Sequence, residues 1–340
     1  MEHLGLVGAV DSGHAQLFGA LTGLDVSTAS DRVLGVVNLP DDRLEQLAAM
    51  SKSKNVVHAT FQIAFLPGFA AEGGKSLGTR LLGTLRDCDA LMLVVRADAD
   101  HDPAAELARI EEDLVIGDLE SVEQRLAKQR RASKGDKTLA GELAALERAE
   151  ATLGNGVPVY RSDLGDADRS TLAPSSLLTN KPALIVVNVG VDQLDDADSL
   201  ATPFGEDALA VCIELEGDPD VIAAQGEDRA RLLADLGVPE SVVPRLARAA
   251  QHLLGRRTFL TTGDKESRAW TFRAGSTAPE AAGVIHSDLQ RGFIRAEVIE
   301  WRALLEMGSW EEAKKLGKLR VEGKDYVVQD GDVVEIRFNV

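Results

Sequence analysis

The chain has 340 residues, 44% of them hydrophobic, enough to bury a full-sized core and to divide into two or three domains. A formal charge of -18 excludes a surface that coats nucleic acid everywhere, because the mean field repels phosphates; contact with RNA needs a local basic patch, and no contact with DNA is expected. Cys88 and Cys212 cannot build a disulfide framework and read as core thiols, and neither they nor the six histidines show metal-ligand spacing, so no metal site is expected. The first residues lack a basic, apolar leader pattern and no apolar run reaches membrane-spanning length, which predicts a cytoplasmic protein without a membrane partner.

In chain order, short apolar runs at 3–7, 59–66, 90–95, 183–189 and 209–215 predict strands. Their continuous apolarity marks a parallel sheet covered on both faces, and helical patterns such as 15–22 and 77–86 between them predict a doubly wound α/β domain. Between the third and fourth runs, Leu107, Ile110, Leu114, Leu119, Val122 and Leu126 recur at three-four spacing, and Leu139, Leu143, Leu146 and Leu153 resume it. This predicts an inserted helical hairpin over 103–156, within an arm that extends to 178. Its tip holds Lys128, Arg130, Arg131, Lys134 and Lys137 against the single acid Asp136, a basic patch suited to phosphates and equally a solvated helix-loop-helix end.

From 258 to 340 the pattern changes. Residues 269–273 and 294–299 read as strands and 277–284 and 301–306 as short helices. Residues 325–328 and 333–338 read as a closing pair across Gln329-Asp330-Gly331-Asp332, a β-turn signal. Together they predict a compact, mixed α+β domain of ubiquitin-like kind, a scaffold that usually binds rather than catalyses. The expected domains are 1–102 and 179–257 for the α/β part, 103–178 for the arm and 258–340 for the last unit.

Chemistry is expected at Gly8-Ala9-Val10-Asp11-Ser12-Gly13-His14-Ala15, which follows the first strand and opens a helix. Gly-x4-Gly at such a turn places backbone N–H groups where a phosphate would sit. A working loop continues with Lys, whose ammonium bridges phosphates, and Ser or Thr, whose hydroxyl ligates Mg²⁺. His14 and Ala15 occupy those places; a neutral imidazole lacks the fixed charge and Ala15 has no oxygen.

The segments 5–8 and 17–22, Gly35-Val36-Val37 with Pro40-Asp41-Asp42-Arg43-Leu44, and Val56-Val57-His58-Ala59-Thr60 resemble the G domain of the YchF/Obg-like ATPases. Arg268-Ala269-Trp270-Thr271, 278–286, 291–298 and 323–332 resemble that family's TGS domain still more closely. The resemblance spans essentially the whole chain. It implies a mostly parallel P-loop G domain with an inserted coiled-coil hairpin and a C-terminal TGS domain. It also implies association with ribosomes and a nucleotide-binding site that in the family commonly prefers ATP.

Carried across, the nucleotide-binding set is Gly8, Asp11, Ser12, Gly13, His14, Ala15, Gln16, Asn188 and Val189. The family's loop Lys and Ser become His14 and Ala15, its switch Thr becomes Ala29, and the Asp of its Asp-x-Ala-Gly motif becomes Phe65. Val191 stands where a Glu would read adenine, with Asp192 one residue late. Mg²⁺ needs oxygen ligands that alanine and phenylalanine do not offer. The expectation is a G-domain scaffold that no longer hydrolyses nucleotide and presents its arm and TGS domain to a ribosome or ribosomal RNA; on the TGS surface Arg291, Arg295 and Lys324 are candidate contacts and equally ordinary solvated residues. The alternative is a nucleotide switch that still binds ATP or GTP weakly through loop amides. A third reading makes His14 a general base oriented by Asp11 or Asp31.

Overall fold

The computed structural model describes residues 3–69, 78–98, 101–132, 139–224, 226–238 and 240–339. Among them the strands run β1 His3–Gly8, β2 Val33–Leu39, β3 Val56–Val57, β4 Ala59–Phe65, β5 Ala90–Ala97 and β6 Ala183–Val189. They continue with β7 Leu209–Val211, β8 Arg256–Thr261, β9 Ser267–Arg273, β10 Phe293–Glu300, β11 Arg320–Glu322 and β12 Asp332–Phe338. Five helices matter most below: α1 His14–Thr22, α2 Asp42–Ser51, α3 Gly78–Arg86, α4 Pro103–Ala132 and α5 Ala140–Gly154. The chain forms two compact units, Met1–Val36 with Gln62–Leu254, and Val37–Phe61 with Gly255–Val340.

The first unit is built on a sheet of order β2-β4-β1-β5-β6-β7, in which β1 lies parallel to β4 and β5, and β6 parallel to β5 and β7. The central strands β1 and β5 are buried almost throughout, as the continuous apolar runs required, because helices cover both faces. On one face Leu107, Ile110 and Leu114 of α4 pack on Leu91, Leu93, Val95 and Val187. α1 packs against β1 and the helix Val243–Leu253 against β6.

α4 starts where Asp102 accepts the N–H of Ala104 and Pro103 supplies a preset φ. It buries Val115, Val122 and Leu126 against Ala145, Leu146, Ala149 and Leu153 of α5, so the three-four apolar spacing does form a pair of packed helices. The buried carboxylate of Asp118 on α4 accepts from the N–H groups of Leu178 and Thr179 and from the Thr179 hydroxyl, anchoring the turn that leads into β6.

The second unit holds a mixed sheet of order β11-β10-β12-β8-β9-β3. Its core joins Phe259, Phe272, Phe293 and Val298 to Ala278, Ala281 and Ala282 of the helix Ala278–Ile285. Residues 37–61 fold with this unit. β3 runs parallel to β9 through Val56 and Ser267, and Arg43 on α2 pairs with Asp41 and Asp330 at 2.7 Å each. Burial opposes the Arg43 charge, but the two carboxylates outweigh it and hold the guanidinium protonated more firmly than usual.

Two local expectations fail and one strand goes unpredicted, each for an identifiable reason. Residues 209–215 are not one strand, since β7 ends at Val211 and Ile213–Glu216 turns helical, with Gly217 N–H on the Ile213 carbonyl. β2 was missed because it is an edge strand with alternating burial whose outward residues include Leu34 and Val36, so it lacks both a continuous and a clean alternating signal. The pairing of 325–328 with 333–338 does not form. Ala278 N–H donates to the Tyr326 carbonyl and Val328 N–H to the Ser276 carbonyl, while β12 pairs with β10 and β8. Both cysteines are buried thiols, and burial pushes each pKa up.

Candidate functional site

The loop between β1 and α1 is a tight, internally bonded turn. Ser12 N–H donates to the Ala9 carbonyl at 3.0 Å, and a Cβ at Gly8 would sit 2.2 Å from the Ser12 hydroxyl oxygen. Gly13 has φ of 84°, and a Cβ there would meet the Asn188 amide nitrogen at 2.7 Å, so the second glycine is required twice over. Asn188, at the end of β6, donates to the Ser12 carbonyl at 3.0 Å and accepts from Ile213 N–H at 3.1 Å. It therefore shapes the loop from behind. Val189 is buried beside it, Ala15 is half-buried and Gln16 is exposed. The N–H groups of Gly13, Ala15 and Gln16 have no partner among the described residues, as expected of a first helical turn.

His14 does not face the loop mouth. It is 1% exposed, and its ring Nε2 lies 3.1 Å from the Leu66 carbonyl. That carbonyl only accepts, so the proton belongs on Nε2, and Nδ1 accepts from the Ser12 hydroxyl at 3.0 Å. Burial depresses the imidazole pKa, more than the Leu66 and Ala9 carbonyls raise it, so the ring is neutral.

Phe65 lies on that ring, with centroids 5.2 Å apart and planes 15° from parallel, and Phe18 closes the group at 5.6 Å from Phe65. The segment after β4 is pinned to the same place: Val10 N–H donates to the Phe69 carbonyl at 3.0 Å. A Cβ at Gly68 would meet Val10 Cα at 2.6 Å and His14 Cε1 at 2.8 Å. The two altered motif positions, 14 and 65, are thus packed on one another. The base-and-orienter reading of His14 fails here, since its free lone pair is held by Ser12, Asp11 pairs with Arg96 and Asp31 pairs with Arg80.

Ala15 and Phe65 carry no side-chain oxygen for a magnesium ion, and Ala29 is half-buried with its N–H on the Val26 carbonyl. Among the described residues no group of three or more His, Cys, Asp or Glu side chains converges. Val191 is 43% exposed in the turn Val191–Asp196, with Asp192 also exposed beside it.

Sequence reasoning missed Arg96. A charged residue inside the apolar run of β5, at the carboxyl end of a parallel strand where α/β ligands bind, was the available signal. Its Nη2 lies 3.2 Å from Asp11 of the loop and its Nε 3.5 Å from Glu106 of α4.

At the arm, Lys128 and Arg131 are exposed, and Lys128 lines a groove with Arg125, Gln129 and Glu142. Arg130 pairs with Glu147 at 3.4 Å and Glu150 at 3.3 Å, so its charge is largely answered within the arm. Lys134 and Lys137 lie outside the described residues. In the second unit Arg291 pairs with Asp288, and Arg295 and Lys324 are exposed. No described helix is long and apolar enough to cross a membrane.

Comparison with known proteins adds a lineage to this geometry. Residues 257–339 match the family model YchF-GTPase_C, "Protein of unknown function (DUF933)". The chain is 36% identical over 363 residues to the Bacillus subtilis (strain 168) protein named "Ribosome-binding ATPase YchF", covering 99% of each. It is 34% identical over 360 residues to a protein of the same name from Escherichia coli O157:H7, again covering 99% of each. The solved "Structure of the Schizosaccharomyces pombe YchF GTPase" superposes with a TM-score of 0.85 at 25% identity, covering 99% of this chain and 97% of that one.

Proposed function

The chain belongs to the YchF family, and on that premise we propose that it is a ribosome-associated G-domain scaffold that has lost nucleotide hydrolysis. The single observation that carries this reading is the His14–Phe65 stack. Phosphoryl transfer depends on fixed charge and on oxygen ligands for Mg²⁺ around the β- and γ-phosphates. Here the residue in place of the cation is a neutral ring turned to a backbone carbonyl, and the residue in place of the metal-facing carboxylate is the phenyl group stacked on it. Two losses that interlock argue for a pocket re-formed as core, because drift at either position alone would leave a buried charge or a void.

The partner in this proposal is the ribosome, as the names of the relatives suggest, with its RNA as the contact and the cytoplasm as the compartment. The helical arm reads as the family's coiled-coil hairpin and 258–340 as its TGS domain; these supply the contacts, with Lys128 and Arg131 exposed on the arm among the described residues. Phosphate release from ATP and GTP with Mg²⁺ tests the proposal. Rates at the buffer background are expected, and robust magnesium-dependent turnover defeats it.

A second reading has its own support. The loop keeps its turn, its left-handed Gly13 and the unpartnered N–H groups of Gly13, Ala15 and Gln16, so it retains the backbone of a phosphate cradle and could bind ATP or GTP weakly without a metal. Binding without turnover reconciles the two.

A further inference from the structure

A cradle that has lost its lysine needs charge from elsewhere to hold a phosphate, and Arg96 lies against the loop. Its position on β5 is fixed twice. In register it pairs with Asn188, the residue that holds the Ser12 carbonyl, and its own N–H donates to Glu106 at 2.9 Å. The side chain is 13% exposed. Glu106, in the first turn of α4, takes Nε at 3.5 Å, the outer limit of a hydrogen bond. Nη2 lies 3.2 Å from the Asp11 carboxylate yet is buried without a hydrogen-bond acceptor among the described residues, so the contact is an ion pair without alignment.

A guanidinium is a permanently charged fork shaped for two parallel bonds to an oxyanion, and neither carboxylate engages this one in that way. Asp11 is 59% exposed, with no other partner among the described residues, and it is itself a loop residue. One carboxylate thus does two things against a phosphate. It repels the incoming charge at the loop amides, and it pairs with Arg96.

We propose that Arg96 is the cation that reads a phosphate group at this loop, and that Asp11 is its internal competitor, displaced when a phosphate oxyanion takes its place. The ligand class is a metal-free phosphate oxyanion, carried on a nucleotide or free. The inference rests on the reading that the loop keeps a phosphate cradle; it is independent of whether hydrolysis is lost.

The test is calorimetry on the full chain with ATP, ADP, GTP, GDP, inorganic phosphate and pyrophosphate in EDTA, comparing the parent with Asp11→Asn, Arg96→Gln, Arg96→Lys and the Asp11→Asn/Arg96→Gln pair. Circular dichroism melts accompany each variant. Asp11→Asn should bind phosphate-bearing ligands about tenfold more tightly, the scale of removing one like charge at a partly exposed contact. Arg96→Gln should lose binding in both backgrounds, and Arg96→Lys should keep part of it. Adenosine and guanosine should be indifferent to Asp11→Asn. Nucleotides binding well above pyrophosphate would assign the ligand to a nucleotide, and equal binding would assign the recognition to phosphate alone; both support the proposal. A folded Asp11→Asn that binds no phosphate ligand more tightly than the parent overturns it, as does Asp11→Asn/Arg96→Gln keeping the gain. Absence of binding in every variant removes the cradle reading as well, and leaves the loss of hydrolysis to its own assay.

Discussion

If positions 14 and 65 have become core together, they should stabilise the fold as a unit, and a double-mutant cycle measures that directly. His14→Ala deletes two hydrogen bonds and leaves the Leu66 carbonyl and the Ser12 hydroxyl inside, at a cost of about 2–4 kcal/mol. Phe65→Ala empties a site 3% exposed, a loss of about 3–5 kcal/mol. Once either ring is gone the stack is already lost, so the double variant should fall short of the sum by about 0.5–1.5 kcal/mol. At roughly 2–4 °C per kcal/mol for a unit of this size, His14→Ala alone should melt about 4–16 °C earlier. The assay is urea unfolding followed by far-ultraviolet circular dichroism. Tryptophan fluorescence reports on the second unit instead, where Trp270, Trp301 and Trp310 all lie. Costs that add to within about 0.3 kcal/mol would refute the claim that the two rings support each other.

The same buried imidazole should make stability depend on pH. The unfolded chain protonates His14 near 6.5 while the fold holds its pKa lower, so the unfolded state binds the proton first. The His14 contribution is present above about pH 6.5 and is lost as the pH falls below it, with a slope of at most about 1.4 kcal/mol per pH unit. Urea titrations of the parent and of His14→Asn between pH 5 and 8 should differ in that window only, and parallel curves count against a neutral buried ring. At the arm, replacing Lys128 and Arg131 with Ala should weaken ribosome cosedimentation and reduce its salt slope by about one for each lost phosphate contact. Arg130→Ala should do less, since Glu147 and Glu150 already answer that charge; an equal loss would mean that Arg130 leaves them to bind.

What could be read in advance follows the range of the interactions. The buried strands and the helices of the arm were legible because a continuous apolar run or a three-four stripe is local and reports burial directly. β2 was not, because an edge strand with Leu34 and Val36 outward carries no such signature. The turn at Asp330-Gly331 was legible as a turn but not by its partners. The Asp332 carboxylate gathers Gln329 N–H and the Tyr326 hydroxyl, and Gly331 N–H donates to the Thr258 carbonyl, while the backbone of Tyr326 and Val328 bonds to Ala278 and Ser276 rather than to β12. The tip read as cationic apart from Asp136 because the acids that answer Arg130 lie 17 and 20 residues on, across the two packed helices.

The site shows the same limit more sharply. Residue by residue, a missing lysine and a missing aspartate look like two independent defects, each of which another group could mend. Across a separation of 51 residues they are one change, since a phenyl ring beside a lysine would leave an ammonium stacked in core, and an aspartate beside this histidine would be a carboxylate in the same apolar group. A lysine at 14 or an aspartate at 65, introduced alone, is therefore disfavoured by burial. What the pair leaves untouched is the backbone, because Gly8, Gly13 and Asn188 shape the loop through steric fit and main-chain bonds that do not involve the altered side chains. The proposed loss of hydrolysis and a loop that keeps its shape are therefore compatible, and under the proposal Arg96 and Asp11, which lie outside the stack, decide what that shape can hold.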